Sequence, residues 1–210
     1  GFEGLLVTDW GSSVDRIPGL YNGTDLEMPS SARINTNKII AAVNSGELDI
    51  AVLDKRVDTV VGLIVKSKPA LAKKHTYDVE AHHAIARKVA EGSMVLLKND
   101  GILPLKKGTK VAVIGELARQ PRYQGAGSSH INPTKLDNAL DEMIASGFKV
   151  QFAQGYELKA KKAKKNAAHL AEAVELAKNS ERVVLFIGLT DEYEAEGFDR
   201  SHMALPAAHD

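Results

Sequence analysis

A short apolar run, Leu5-Leu6-Val7, stops on Thr8-Asp9-Trp10-Gly11, so a bare carboxylate and an indole follow a segment of buried-strand character. In parallel α/β architectures, reacting groups sit where strands end at their carboxyl edge. A carboxylate there is placed to act as nucleophile, acid or base. The flat apolar face of Trp10 beside it is of the kind that packs against a sugar ring. Aspartate is also common where it caps or braces a turn, so this stretch alone leaves a structural role for Asp9 open.

A second candidate lies after VLFIGL, in TDEYEAEGFDR, where Asp191, Glu192, Glu194 and Glu196 precede Asp199-Arg200. Such acids can form a solvated loop or a calcium site, but the spacing lacks the alternation and sixth-position glycine of an EF-hand. Within it, Glu196-Gly197 sets a carboxylic acid beside a residue that lets the chain bend sharply. A third candidate, YQGAGSSHINP, is rich in small residues but has neither the Gly-Lys-Ser/Thr order of a P-loop nor glycines directly after a strand, as a dinucleotide site needs. His82 and His83 are helix neighbours about 100° apart, which prevents them from sharing a metal as an i, i+4 pair can. The lysines of ELKAKKAKKN read as a solvated face or loop. No HExxH motif and no Ser-His-Asp order is present.

The elements that must position these residues follow from capping signals and periodicity. Phe2–Val7 reads as a buried-type strand, and the Gly/Pro/Asn-rich SSVDRIPGLYNGTDLEMP as a loop with a short strand at Leu26–Met28, ending at Pro29. Asn35 or Thr36 is placed to cap a helix through Ile39, Ile40 and Val43, with a stop at Gly46. Asp49 is placed to cap another, whose Leu53, Val57, Val60 and Ile64 share one face. The proline-containing KSKPALAKKHTYD reads as a linker start, followed by a helix over Asp78–Gly92. In MVLLKNDGILPL, a buried apolar run is expected to turn at Asn99-Asp100-Gly101. From Lys110 the order is strand, helix, strand, helix, strand (VAVIG, LDNALDEMIASG, KVQFAQG, an Ala-rich helix carrying Leu170, Val174 and Ala177, and RVVLFIG), the pattern of a parallel α/β sheet.

Composition narrows the partners. With 27 basic and 27 acidic residues, the chain has no excess of positive charge for nucleic acid. It contains no cysteine, so disulfides and thiolate metal sites are excluded. No apolar run approaches the roughly 20 residues of a membrane helix. No signal peptide is visible, and the compartment, cytoplasmic or secreted, stays open. Because the chain opens with a strand already under way, it reads as an excerpt from a longer protein.

GFEGLLVTDWG, GTDLEMP, EGSMVLLKNDGILPL, QGAGSSHINP and EGFDR followed by MALP, in that order, resemble glycoside hydrolase family 3, the β-glucosidase family. Thr8 stands where the family usually has serine, and LPAAHD where it has LPxGQ. The resemblance implies the C-terminal end of a (β/α)8 barrel (residues 1–30), closing helices and linker (31–108), and the first part of an α/β sandwich (109–210). It implies a retaining, exo-acting β-glycosidase, most simply a β-glucosidase, acting on a small β-glycoside or oligosaccharide without metal or organic cofactor. The family nucleophile falls on Asp9, the acid/base on Glu196 (with Glu194 as its competitor), and substrate packing on Trp10. A non-catalytic α/β ligand-binding or interaction domain is the alternative, and retention of both carboxylates favours the enzyme. The 210 residues alone are expected to be inactive, with an open sheet edge able to pair with a second copy.

Overall fold

Helices fill the first part of the chain, and side chains at their ends satisfy the backbone groups left loose there. The computed structural model describes residues 2–158 and 164–209, which divide into two units, Gly1–Tyr77 and Asp78–Asp210. Most of the lysines in ELKAKKAKKN lie outside the described residues. No helix among the described residues is long and apolar enough to cross a membrane.

In the first unit, helix α1 (Arg16–Tyr21) is capped by the Asp15 carboxylate, which accepts from Ile17 N. The sequence reading placed a loop here. Pro18 sits in the first turn, where a missing N–H costs nothing, so the proline that reads as a breaker is compatible with a short helix. Helix α2 (Ile34–Ser45) starts just before the expected cap and ends at Gly46 as expected. The Ser31 hydroxyl accepts from Asn35 N at 3.0 Å. Helix α3 (Ile50–Leu71) is capped by Asp49, as expected, and runs on through Pro69. That corrects the reading of KSKPAL as linker. Leu71 and the alanines around it favour the helix, and a proline in its last turn removes only one bond. Ile17, Leu20, Ala42 and Leu48 form a small core, joined by Ile39, Val43, Val52 and Leu53.

The two expected strands of this unit are reduced to one parallel bridge, Val7↔Leu26. Thr8 N donates to Leu26 O at 3.0 Å, and the Thr8 hydroxyl accepts from Met28 N at 2.8 Å. The expected burial of Phe2–Val7 is not found, since Phe2, Leu6 and Val7 are exposed. A single strand pair has no layer on either face to cover its side chains.

In the second unit, helix α4 (Val79–Ser93) is capped by Asp78. The next segment turns where expected: the Asn99 side-chain oxygen accepts from Gly101 N and Leu103 N, both at 3.1 Å. Its apolar residues Met94–Leu97 are exposed, however, rather than buried. An apolar run shows what a segment would bury, not whether a covering layer is at hand.

Strands β1 (Lys110–Ile114), β2 (Lys149–Ala153) and β3 (Arg182–Leu185) form a parallel sheet in the order β2-β1-β3. Helix α5 (Ala139–Ala145) links β1 to β2, and α6 (Ala167–Lys178) links β2 to β3. Alternation along β1 sorts its side chains onto two faces. Ala112 and Ile114 pack with Ala153 and with Ala173 and Leu176 of α6. Val111 and Val113 pack with Leu140 and Met143 of α5, Phe152 and Val184. With its flanking strands reached in opposite directions, β1 marks a switch point, and the crevice beyond its carboxyl end is where such sheets hold ligands.

At that end, Gly115 has φ 111°, and a Cβ built on it would overlap the Phe186 carbonyl, which also accepts from the Tyr156 hydroxyl at 2.5 Å. Gly115→Ala is therefore expected to cost roughly 2–4 kcal/mol, through backbone strain plus a clash with main chain. Denaturant titration of the chain measures it, and an unchanged midpoint would show that β1 and β3 do not meet this closely.

Candidate active site

The loops that leave β1 and β3 start from neighbouring strand ends. The first is set by Glu116, whose buried carboxylate accepts from Arg119 Nε at 3.0 Å, Arg119 Nη2 at 2.9 Å and Gln120 Nε2 at 2.5 Å. Farther on, Gln124 closes the Gly-Ser segment on itself, donating to Ile131 O and accepting from Ile131 N, both at 3.0 Å. The second loop folds back at Ala195–Phe198, which exchange backbone bonds of 3.1 Å in each direction. Gly197, with φ 92°, takes the left-handed position of that turn, leaving Glu196 at its tip.

The two loops wall a groove of about 500 Å³ lined by Arg122, Gly125, Ala126, Ser128, Ser129, Glu194, Ala195, Glu196 and Asp199. The second and third candidate stretches of the sequence are thus one place. Within it, the competing carboxylates are held differently. Glu194 Oε1 lies 3.2 Å from Arg122 Nη1 and its Oε2 3.6 Å from Arg200 Nε, while Arg122 Nη2 donates to its carbonyl at 3.1 Å. Two guanidinium groups thus tie it into the loop. No arginine pairs with Glu196 among the described residues. It is exposed, and its Oε2 accepts from Ser128 N at 2.9 Å and from the Ser128 hydroxyl. Those hydrogen bonds, side chain first and then backbone, hold its pKa below the usual carboxylate value.

Asp9 and Trp10 belong to the other unit. Asp9 is exposed just beyond the Val7↔Leu26 bridge, its Oδ1 accepting from Trp10 N at 2.8 Å and its carbonyl from the Ser12 hydroxyl at 3.0 Å. Trp10 is 67% exposed, so its indole face is free to meet a ligand. Behind this corner lies a charged knot that sequence reasoning missed. Buried Arg16 donates to Thr24 O at 3.0 Å and Asp25 O at 3.2 Å. The Asp25 carboxylate accepts from Leu6 N at 2.8 Å and pairs with Arg56 at 3.2 Å. Burial pulls the Arg16 pKa down, against the opposing pull of Glu27 and Asp25. An arginine in an apolar helical turn and an acid at a strand entry were the available signals. The knot fixes the segment that presents Asp9.

The remaining sequence candidates fall elsewhere. His83 Nε2 lies 2.6 Å from Asp137 Oδ2, and Lys135 Nζ donates to Glu80 at 2.7 Å, so α4 is tied to the loop before α5. Among the described residues, no group of three or more His, Asp or Glu is arranged to hold a metal ion.

Residues 94–210 match the family model of the glycosyl hydrolase family 3 C-terminal domain. The chain is 45% identical over 208 residues to thermostable beta-glucosidase B of Acetivibrio thermocellus, covering 97% of this chain and 27% of that one. It is 43% identical over 218 residues to exo-alpha-(1->6)-L-arabinopyranosidase of Bifidobacterium breve, covering 99% of this chain and 28% of that one. In structure it is similar to the GH3 beta-glucosidase of Bifidobacterium adolescentis, with a TM-score of 0.89 and 43% identity, covering all of this chain and 30% of that one. The chain thus spans less than a third of the length of these relatives.

The Arg122–Glu194 pair is a charged link between the two groove loops. Arg122→Met is expected to raise amide exchange across residues 191–200 roughly five- to tenfold, consistent with loss of a half-exposed ion pair and its carbonyl bond. Exchange unchanged in that segment would show that the pair does not order the loop.

Proposed function

The chain belongs to glycoside hydrolase family 3, and from that premise we propose that it carries both catalytic carboxylates of a retaining, exo-acting β-glycosidase. Asp9 is the nucleophile, Glu196 the acid/base, and Trp10 a wall of the sugar site. Residues 1–30 form the last strands of a (β/α)8 barrel, 31–108 its closing helices and linker, and 109–210 the first part of the α/β sandwich. The proposed nucleophile belongs to the first unit and the proposed acid/base to the second.

In the first step, Asp9 attacks the anomeric carbon and the glycosidic bond breaks, while Glu196 protonates the departing oxygen. In the second, Glu196 takes a proton from water as its oxygen attacks the same carbon and releases Asp9. Retention of configuration calls for the two carboxylates to stand about 5–5.5 Å apart around the bound sugar.

One observation carries the choice of Glu196. Of the two acids at the tip of the β3 loop, Glu194 pairs with Arg122 and Arg200, whereas Glu196 is exposed on the groove and, among the described residues, pairs with no arginine. Its two ion pairs tie Glu194 into the loop, whereas Glu196 keeps one carboxylate oxygen without a hydrogen bond on the groove, among the described residues. The similarity to a beta-glucosidase and to an arabinopyranosidase makes aryl β-D-glucopyranosides and aryl α-L-arabinopyranosides the substrates to compare.

In the intact enzyme, Glu196→Ala is expected to lower turnover of glycosides with poor leaving groups by about 10²–10⁴-fold, with a far smaller effect on activated aryl glycosides. Added azide should restore turnover and give a glycosyl azide of retained configuration. If Glu194→Ala behaves this way and Glu196→Ala does not, the two roles are reversed.

A further inference from the structure

The seat of Glu196 is built from a glycine and a serine. Gly127 has φ 80°, and a Cβ there would stand 3.0 Å from Glu196 Cβ and 3.1 Å from Glu196 Oε2, so the carboxylate occupies space that any other residue would fill. Next in sequence, Ser128 directs both its backbone N–H and its hydroxyl at the same oxygen, Oε2. Among the described residues, Oε1 carries no hydrogen bond, and it is the oxygen left free to face a ligand in the groove.

A backbone N–H has no lone pair and can only donate. Oε2 must therefore accept a bond whether Glu196 is ionised or not. In a neutral carboxylic acid the carbonyl oxygen is the better acceptor, so the oxygen held by two donors is the one without the proton. We propose that Ser128 is a positioning residue for Glu196, reserving Oε2 as acceptor so that the proton Glu196 transfers is carried on Oε1. The inference rests on the reading of Glu196 as acid/base and adds which oxygen acts and what selects it.

The proton bookkeeping follows. In the first step the Oε1 proton passes to the glycosidic oxygen as the C–O bond breaks and the bond from Asp9 forms. The aglycone leaves as a neutral alcohol and Glu196 becomes a carboxylate. In the second step water gives a proton back to Oε1 while its oxygen bonds to the anomeric carbon, and Asp9 departs as a carboxylate. Ser128 exchanges no proton in either step. Its two bonds favour the ionised form of Glu196, which assists the second step and limits the pH range of the first.

The test is the pH dependence of kcat/KM in the intact enzyme, on a glycoside with a poor leaving group. The first step needs Glu196 protonated, so the alkaline limb reports its pKa. Ser128→Ala keeps the backbone donor and removes the hydroxyl, so the Glu196 pKa rises and the alkaline limb moves to higher pH. Ser128→Thr restores the hydroxyl and returns the limb toward wild type. Gly127→Ala pushes Glu196 off its seat and is expected to lower turnover of this substrate by about 10²-fold, with little effect on an activated aryl glycoside. An alkaline limb unmoved in Ser128→Ala, with azide rescue of Glu196→Ala intact, would overturn the role of Ser128 and leave that of Glu196 standing. Loss of azide rescue in Glu196→Ala would overturn both.

Discussion

Strands β1 and β3 lie side by side and stay in contact to their carboxyl ends: Phe186 N donates to Ile114 O at 2.8 Å, and the Phe186 carbonyl is pressed against Gly115. This contact leaves no room for a side chain at residue 115, and the Tyr156 hydroxyl reinforces it by donating to the same carbonyl. Its consequence is that the loops after β1 and β3, though about 70 residues apart in the chain, leave the sheet side by side. One brings Arg122 and Ser128, the other Glu194 and Glu196. The groove between them is a product of strand order before it is a product of any particular side chain.

Electrostatics then sorts two acids separated by a single residue. Glu194 faces two arginines and is fixed as part of the loop's scaffold. Glu196 sits at a turn tip where, among the described residues, its hydrogen bonds come from Ser128. In the other unit the same division recurs. Asp25 is buried and paired with Arg56, and it secures the strand pair through Leu6, while Asp9 is left exposed at the end of that pair. In both places an arginine-bound acid supports the segment that presents an unpaired one.

The sequence displays local signals well and long-range ones poorly. Asp49, Asp78, Asn138 and Asn166 cap helices because a side-chain oxygen and a following helical run lie within four residues of each other. The parallel sheet was legible from three apolar strands separated by helices. The short helix α1 was hidden by Pro18 and Gly19, and the extension of α3 by Pro69, since both residues read as breakers without their position in the turn. Burial of Phe2–Val7 and Met94–Leu97 was overestimated because hydrophobicity states a preference that only a covering layer can satisfy. The union of QGAGSSH with EAEGFDR into one groove, and the Arg122–Glu194 pair across it, depend on strand order and leave no mark in local periodicity. Asp9, Trp10 and Glu196 were nameable as candidates from residue type and motif, but the grip of Ser128 on Glu196 was not.

The proposed pair of carboxylates stands or falls with Asp9, since a retaining reaction leaves a covalent mark on its nucleophile. The direct measurement is inactivation of the intact enzyme by an activated 2-deoxy-2-fluoro-glycoside, followed by peptide mapping of the trapped sugar. The account predicts one sugar per chain, esterified to Asp9. A sugar on any other residue, or inactivation that leaves Asp9 unmodified, would contradict it.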